Sequence, residues 1–222
     1  MRMLLTSAGV KNDSIRTALI GLLGKPIEDS TALCIPTAMY GHPAAGLDRA
    51  WQFAAGRSEE PMVDLGWSSV GLLELAALPS LPRAQWTPWV ERADVLLASG
   101  GDALYLAHWM RESGLVDLLA TREHLVWLGM SAGSMVMAPS VGADFIQWQP
   151  EGGEDRALGL VDFAICPHLA PDGEPGNSMQ EAEAWAATMP CPSYAIDDQT
   201  AIRVVDGKVD VVSEGAWRRF SD

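Results

Sequence analysis

Short apolar runs alternate with helix-patterned segments along most of this 222-residue chain, and that alternation constrains the fold more than any other feature. A strand followed by an amphipathic helix, repeated, is the pattern of a parallel sheet covered by helices. Residues 3–6 read as the first strand. Asn12 or Asp13 then caps a helix with Ile15, Ala18, Leu19, Leu22 and Leu23 on one face, which Gly24 and Pro26 stop. Further strands are expected at 32–36, 61–65, 95–98 and 125–128. Helices are expected at 47–54, with Trp51 and Phe53 on that helix's own surface, and after Ser99-Gly100-Gly101-Asp102, continuing through Trp109. Residues 72–78 are apolar enough for a short helix, and the prolines of SLPRAQWTPWVERAD should break regular structure beside it. After the polar stretch QWQPEGGEDRALG, strand-like segments return at 162–166, 194–196, 201–205 and 209–212, with Asp206-Gly207 as a hairpin turn. No repeat or linker divides the chain, so residues 1–222 are expected to form one domain.

Composition then narrows the partners. The chain has 15 Lys+Arg against 29 Asp+Glu, a formal charge of -14 that repels a phosphate backbone, and no basic cluster offers a local footprint. Nucleic acid is not an expected partner. A hydrophobic content of 48% with 20% charged residues is ordinary for a soluble chain able to bury one core. Cys34, Cys166 and Cys191 are odd in number and lack CxxC spacing, which argues against a disulfide framework or a thiolate zinc site and fits a reducing cytoplasm. No stretch reaches the roughly 18 apolar residues of a membrane span. Secretion and membrane insertion are therefore not expected.

The chemistry concentrates at Gly129-Met130-Ser131-Ala132-Gly133. A strand that turns sharply into a helix lifts one side chain out of the sheet, and flanking glycines permit the close approach this needs. Ser131 would sit at that apex, and the Ala132 N–H would point where an oxyanion forms. Gly100-Gly101 closes another strand and is compatible with a second oxyanion donor. A serine nucleophile needs a base held by a carboxylate. Of the four histidines, His124 precedes the strand that leads to Ser131, so it should lie at the far end of the sheet. His108 falls within a helix beside Trp109, and His42 sits in a loop with little other support. His168 is best placed, just past a buried strand on the edge where ligands bind in open parallel sheets. Asp197 and Asp198 end another strand, and Asp144 is a rival. Alternation along a strand lets only one of the Asp197-Asp198 pair face His168. The histidines show no metal-ligand spacing, and no metal or other cofactor is expected.

In combination, LLTSAG, the helix ending LLGKP, IPTA, the Gly-Gly turn, GMSAG and LGLVDFAICPH resemble the peptidase E family of serine peptidases, aspartyl dipeptidases grouped with cyanophycinase. The resemblance runs in matching order over most of the chain. It implies a flavodoxin-like, doubly wound and mostly parallel α/β sheet with helices on both faces, related to class I glutamine amidotransferases but with serine at the nucleophile elbow. It assigns the nucleophile to Ser131, the base to His168 and the oxyanion donors to Gly101 and Ala132. Where the family carries a triad glutamate, this chain offers Asp198.

Two departures bear on substrate. The family's Gly-Gly-Asn is Gly100-Gly101-Asp102 here, and the arginine that reads an N-terminal aspartate has no counterpart in HLAPDGEPGNSMQEAEAW. Asp102, Asp172 and Glu174 would then crowd the mouth of the site without a cation, which disfavours an acidic substrate residue. The expected activity is hydrolysis of short peptides in the manner of a dipeptidase or aminopeptidase, without strict Asp-X specificity. Asp102 or Glu174 would bind the free α-amino group. An esterase or amidase acting on a small acyl compound, and a non-catalytic binding module of the same fold, are the alternatives. The reading admits a homodimer.

Overall fold

The computed structural model describes residues 1–148, 155–171, 174 and 176–221. Its strands are β1 (Arg2–Thr6), β2 (Thr31–Ile35), β3 (Ser69–Leu72), β4 (Val95–Ala98), β5 (Val126–Met130), β6 (Ala164–Cys166), β7 (Ser193–Ile196), β8 (Thr200–Val205), β9 (Lys208–Ser213) and β10 (Trp217–Phe220). The helices are α1 (Asp13–Leu23), α2 (Gly46–Ala54), α3 (Arg83–Arg92), α4 (Ala103–Glu112), α5 (Leu115–Leu119), α6 (Ala132–Met135) and α7 (Met179–Ala186). Seven strands form the main sheet in the order β3-β2-β4-β5-β1-β8-β9. Pairing is parallel from β3 through β1 and antiparallel at β1–β8 and β8–β9.

Helices cover both faces because the central strands are apolar on both sides, as parallel strands must be when no face meets water. Met3 and Leu5 of β1 join Leu96 of β4, Trp127 of β5 and Leu104, Leu106 and Met110 of α4 in one cluster. The alternating residues Leu4, Val95, Leu97, Val126 and Leu128 meet Ile15, Leu19 and Leu22 of α1 and Phe53 of α2 on the other face. Each fully buried side chain of that size contributes about 1.5–3 kcal/mol. Asn12 caps α1 by accepting the Ile15 N–H at 2.9 Å, and Gly24 ends it in the left-handed region at φ 71°.

The structure departs from the sequence expectations in several places. Residues 61–65 are not a strand. Asp64 Oδ1 accepts the Met62 N–H, Trp67 Nε1 donates to Met62 O, and Pro61 O accepts the Val10 N–H, so the segment docks as a turn on the loop after β1. The edge strand β3 comes later, and the apolar run after it forms a 3₁₀ turn at Leu75–Ser80. Prolines do not break α3, because Pro82 sits at its N-cap and burial of Trp86 and Val90 holds one face across Pro88. In α2, Phe53 is buried while Trp51 is exposed. Finally, β6 and β7 do not extend the main sheet. They pair in parallel within a separate sheet, β10-β7-β6, whose third strand the sequence pattern did not suggest. Among the described residues, no helix is long and apolar enough to cross a membrane.

Candidate active site

Strand β5 runs into α6 through Ser131, whose backbone has φ 49° and ψ -111°. A non-glycine residue at positive φ costs on the order of 1–3 kcal/mol, and the surroundings must hold it there. They do so through β1. The Ser131 N–H donates to Thr6 O at 3.0 Å, Ser134 Oγ donates to the same carbonyl at 2.8 Å, and Thr6 Oγ1 donates to Gly129 O at 2.8 Å. Helix and strand then approach so closely that a Cβ on Gly133 would lie 2.4 Å from Ala98 O. Trp127 Nε1 donates to Gly133 O at 2.8 Å, fixing the small-residue helix from below.

Ser131 lines a cleft of about 550 Å³ together with Gly100, Gly101 and His168, which is room for a short peptide. Gly101 follows β4 at φ 130°, and an added Cβ would lie 2.2 Å from Ala38 O, so only glycine fits this turn. Ala132 is the first residue of α6, and its N–H has no acceptor within the helix. The turns that follow β4 and β5 thus meet at one cleft.

His168 follows β6, and Asp198 follows β7. Nδ1 of His168 and Oδ1 of Asp198 are 2.9 Å apart, with side chains 42% and 50% exposed, so solvent and cleft both reach the pair. The hydrogen bond to His168 holds the Asp198 carboxyl below its ordinary range. Partial burial opposes this, and the Ser7 hydroxyl and Lys11 add to the lowering. His168 also has positive φ, 56°. Its N–H donates to Ser7 Oγ at 2.8 Å, its carbonyl accepts from Asn177 N–H at 2.8 Å, and Asn177 Nδ2 donates to Pro167 O at 2.7 Å.

The rival acids lie in different settings. Asp197 Oδ1 accepts from the Gln199 N–H and the Thr200 hydroxyl, and its Oδ2 accepts from the Ala216 N–H, which makes it a turn residue. Asp144 lines the cleft without a hydrogen bond to His168 among the described residues. Of the other histidines, His42 lines the cleft and caps its own loop through Ala44 N–H, His108 packs against Trp109 and Trp148, and His124 is exposed before β5. Burial pushes the Cys166 thiol up to about 12 and the Cys34 thiol to about 11, with Glu181 and Asp144 adding at the first and Glu74 at the second. Neither is an available thiolate at neutral pH.

The substrate residues need correction. Asp102 is 1% exposed and lies behind the cleft wall. Its Oδ1 caps α4 by accepting from Tyr105 N–H at 2.7 Å, and its Oδ2 accepts from the N–H groups of Gln147 and Trp148 at 3.0 and 2.7 Å. A substrate amine finds no free oxygen there. Glu174 is exposed and lines a neighbouring groove with His168 and Asp198, and Asp172 lies outside the described residues. The cleft itself carries Glu59, Glu60 and Asp144, together with a cation that the sequence reading missed, Arg49 of α2. Arg49 escaped because it comes from the opposite side of the sheet to the stretch after His168. Among the described residues, no cluster of three or more His, Cys, Asp or Glu could hold a metal ion.

Together the sheet order and the serine at the strand–helix turn define an open α/β protein with a nucleophile elbow. Residues 3–212 match the model of Peptidase family S51, and the chain belongs to that family. It is 26% identical over 146 residues to Peptidase E of Salmonella arizonae and 27% identical over the same length to Peptidase E of Salmonella typhimurium, covering 63% of this chain in each case. The match spans 59% of the length of each relative. A Listeria monocytogenes EGD-e protein shares the fold, with TM-score 0.67, 18% identity and coverage of 96% of this chain and 98% of that one. A peptidase from an acI-B1 Actinobacterium gives TM-score 0.64 and 18% identity over 99% of this chain and 93% of its own.

Proposed function

We propose that the protein is a serine peptidase that hydrolyses short peptides through an acyl-enzyme. The observation that carries this reading is a strained elbow serine sharing one cleft with a histidine whose Nδ1 is held 2.9 Å from a carboxylate. In the first step Ser131 Oγ attacks the scissile carbonyl carbon while His168 Nε2 takes its proton. The oxyanion is met by the N–H groups of Gly101 and Ala132. The C–N bond then breaks, and the same proton goes to the leaving amine. Water, deprotonated by His168, cleaves the ester and restores the Ser131 hydroxyl. Asp198 accepts from Nδ1–H throughout, which fixes the tautomer and stabilises the imidazolium.

For recognition, the cleft offers carboxylates from Glu59, Glu60 and Asp144 for a free α-amino group. Arg49 supplies one cation on the α2 side. An acidic first residue is accommodated there without being required. Phosphonylation by a fluorophosphonate is expected for the wild type and lost in Ser131→Ala. Absence of labelling in folded wild type would sink the reading. A dipeptide library varied at the first residue, with free and N-acetylated members, then tests the amine requirement, and equal turnover of the two sets would remove it. Turnover of simple esters with none of peptides would turn the assignment to an esterase.

A further inference from the structure

Ser7, one residue past β1, is fully buried and joins the two groups on which the proposed chemistry depends. Its Oγ–H donates to Asp198 Oδ1 at 2.6 Å, and its oxygen accepts from the His168 backbone N–H at 2.8 Å. His168 Nδ1 is 3.4 Å from the same oxygen. A hydroxyl has one hydrogen and two lone pairs, so the hydrogen serves the acid while a lone pair holds the base's main chain. Ser134, also buried, reaches Thr6 O from a distant part of the chain but binds a single main-chain carbonyl. Ser30, equally buried, donates to Pro26 O four residues away, whereas Ser7 reaches partners 161 and 191 positions along the chain.

We propose that Ser7 is a positioning residue for the chemistry at Ser131, a fourth member that fixes Asp198 and His168 relative to each other. The proposal rests on the reading of His168 as base and Asp198 as its acid. The left-handed backbone of His168 must be held from both peptide edges. Asn177 N–H binds its carbonyl, and Ser7 Oγ receives its N–H. At the same time Oδ1 of Asp198 accepts from both Ser7 Oγ and His168 Nδ1, which restricts the carboxylate to the rotamer that meets the imidazole. Among the described residues, the other charged groups facing the pair are Lys11, Asp197 and Glu174 nearby, with Arg49, Glu59, Glu60 and Asp144 across the cleft. None of them contacts both the base and the acid, and the hydroxyl of Ser7 does.

The test is the second-order rate constant for fluorophosphonate labelling of Ser131, measured against pH in the full chain. In Ser7→Ala the rate constant is expected to fall by about 10-fold or more, the loss of one hydrogen bond to a charged group. The acid limb, which reports loss of the proton that keeps the imidazole from acting as base, should move to higher pH, because a carboxylate that has lost one donor holds the imidazolium more strongly. Ser7→Thr keeps the hydroxyl and is expected to recover most of the rate. If Ser7→Ala does not fold, Ser7→Cys carries the test with its weaker donor, and a slower rate with an upward-shifted limb supports the proposal. A wild-type rate constant and pH profile in either variant overturns it. A smaller labelled fraction that reacts at the wild-type rate constant also overturns it, because that is a loss of folded protein and not of positioning. Failure of the wild type to label at all would instead overturn the serine peptidase reading on which the proposal stands.

Discussion

Ser131 and His168 both have left-handed backbones, yet the two are held there by different means. The elbow is held by close packing together with hydrogen bonds inside the buried sheet, from Ser131 N–H and Ser134 Oγ to Thr6 O and from Thr6 Oγ1 to Gly129 O. Gly133 abuts Ala98, Trp127 lies beneath α6, and the strand on which Ser131 sits is buried along its whole length. The histidine corner is held by polar side chains from distant parts of the chain, namely Ser7, Asn177 and Asp198, just past the ends of two buried strands where the His168 and Asp198 side chains are half exposed. Packing of this kind tolerates almost no change in volume, whereas hydrogen bonds can be removed singly with graded loss. The proposed nucleophile is thus fixed within the buried sheet, and the proposed base is fixed by tethers from distant segments.

That contrast can be broken first at the elbow. Gly133→Ala inserts a Cβ against the Ala98 backbone, which cannot retreat within the sheet. Denaturant unfolding should report a loss of about 3–5 kcal/mol, or no folded protein. At the corner the effect should fall on rate and leave folding largely intact. Asp198→Asn is expected to slow labelling or turnover by about 10³–10⁴-fold, the scale of a lost triad acid. Asp197→Asn should leave the rate constant of the folded fraction near wild type and lower stability by about 1–2 kcal/mol, because its partners are turn groups. Equal rate effects in the two variants would erase the distinction between acid and turn residue.

A smaller effect is expected from Asn177→Ala, which frees Pro167 O and loosens the strand end before His168. A slowing of about 10-fold with a melting temperature shifted by only a few degrees would separate tether from core. The smallest effect is on pH dependence of stability. The folded Asp198 carboxyl titrates below its ordinary value, chiefly through the His168 hydrogen bond, so its contribution is present above the unfolded value of about 3.9 and is lost as pH falls through the folded one. With the side chain half exposed, solvent screening limits this contribution to less than about 1 kcal/mol. Acid unfolding of Asp198→Asn should therefore be slightly flatter below pH 4 than that of the wild type, and an unchanged slope would show that the tether adds nothing to folding.

The same contrast explains what the sequence made legible. Packing constraints leave local traces, so GMSAG after an apolar strand pointed to the elbow and the strand end at CPH pointed to His168, and the two line one cleft. Tethers leave none. Ser7 reads as an ordinary turn residue in LLTSAG, and Asp198 was distinguishable from Asp197 only once the fold aimed one of them at the imidazole. A small polar residue directly after the first strand of an open sheet was the one available signal for Ser7. Asp102 was misjudged as a residue of the mouth because sequence proximity to Gly101 says nothing about which way it faces. Its carboxylate serves α4 and the 147–148 backbone. The main sheet was legible from alternating apolar runs, while β10, WRRF with three exposed residues, carried no pattern that assigns it to a second sheet.

The position of β1 between β5 and β8 also sets when the proposed activity could arise during synthesis. Ser131 is backed by β1 and β5, both complete by residue 130, but Asp198 and the strand that flanks β1 on its other side emerge some seventy residues later. At ribosomal rates of about 5–20 residues per second, that interval lasts several seconds. A nascent chain would therefore carry a shaped elbow with no oriented base, and hydrolytic competence would arrive only when the late hairpin of β8 and β9 closes on the strand made first.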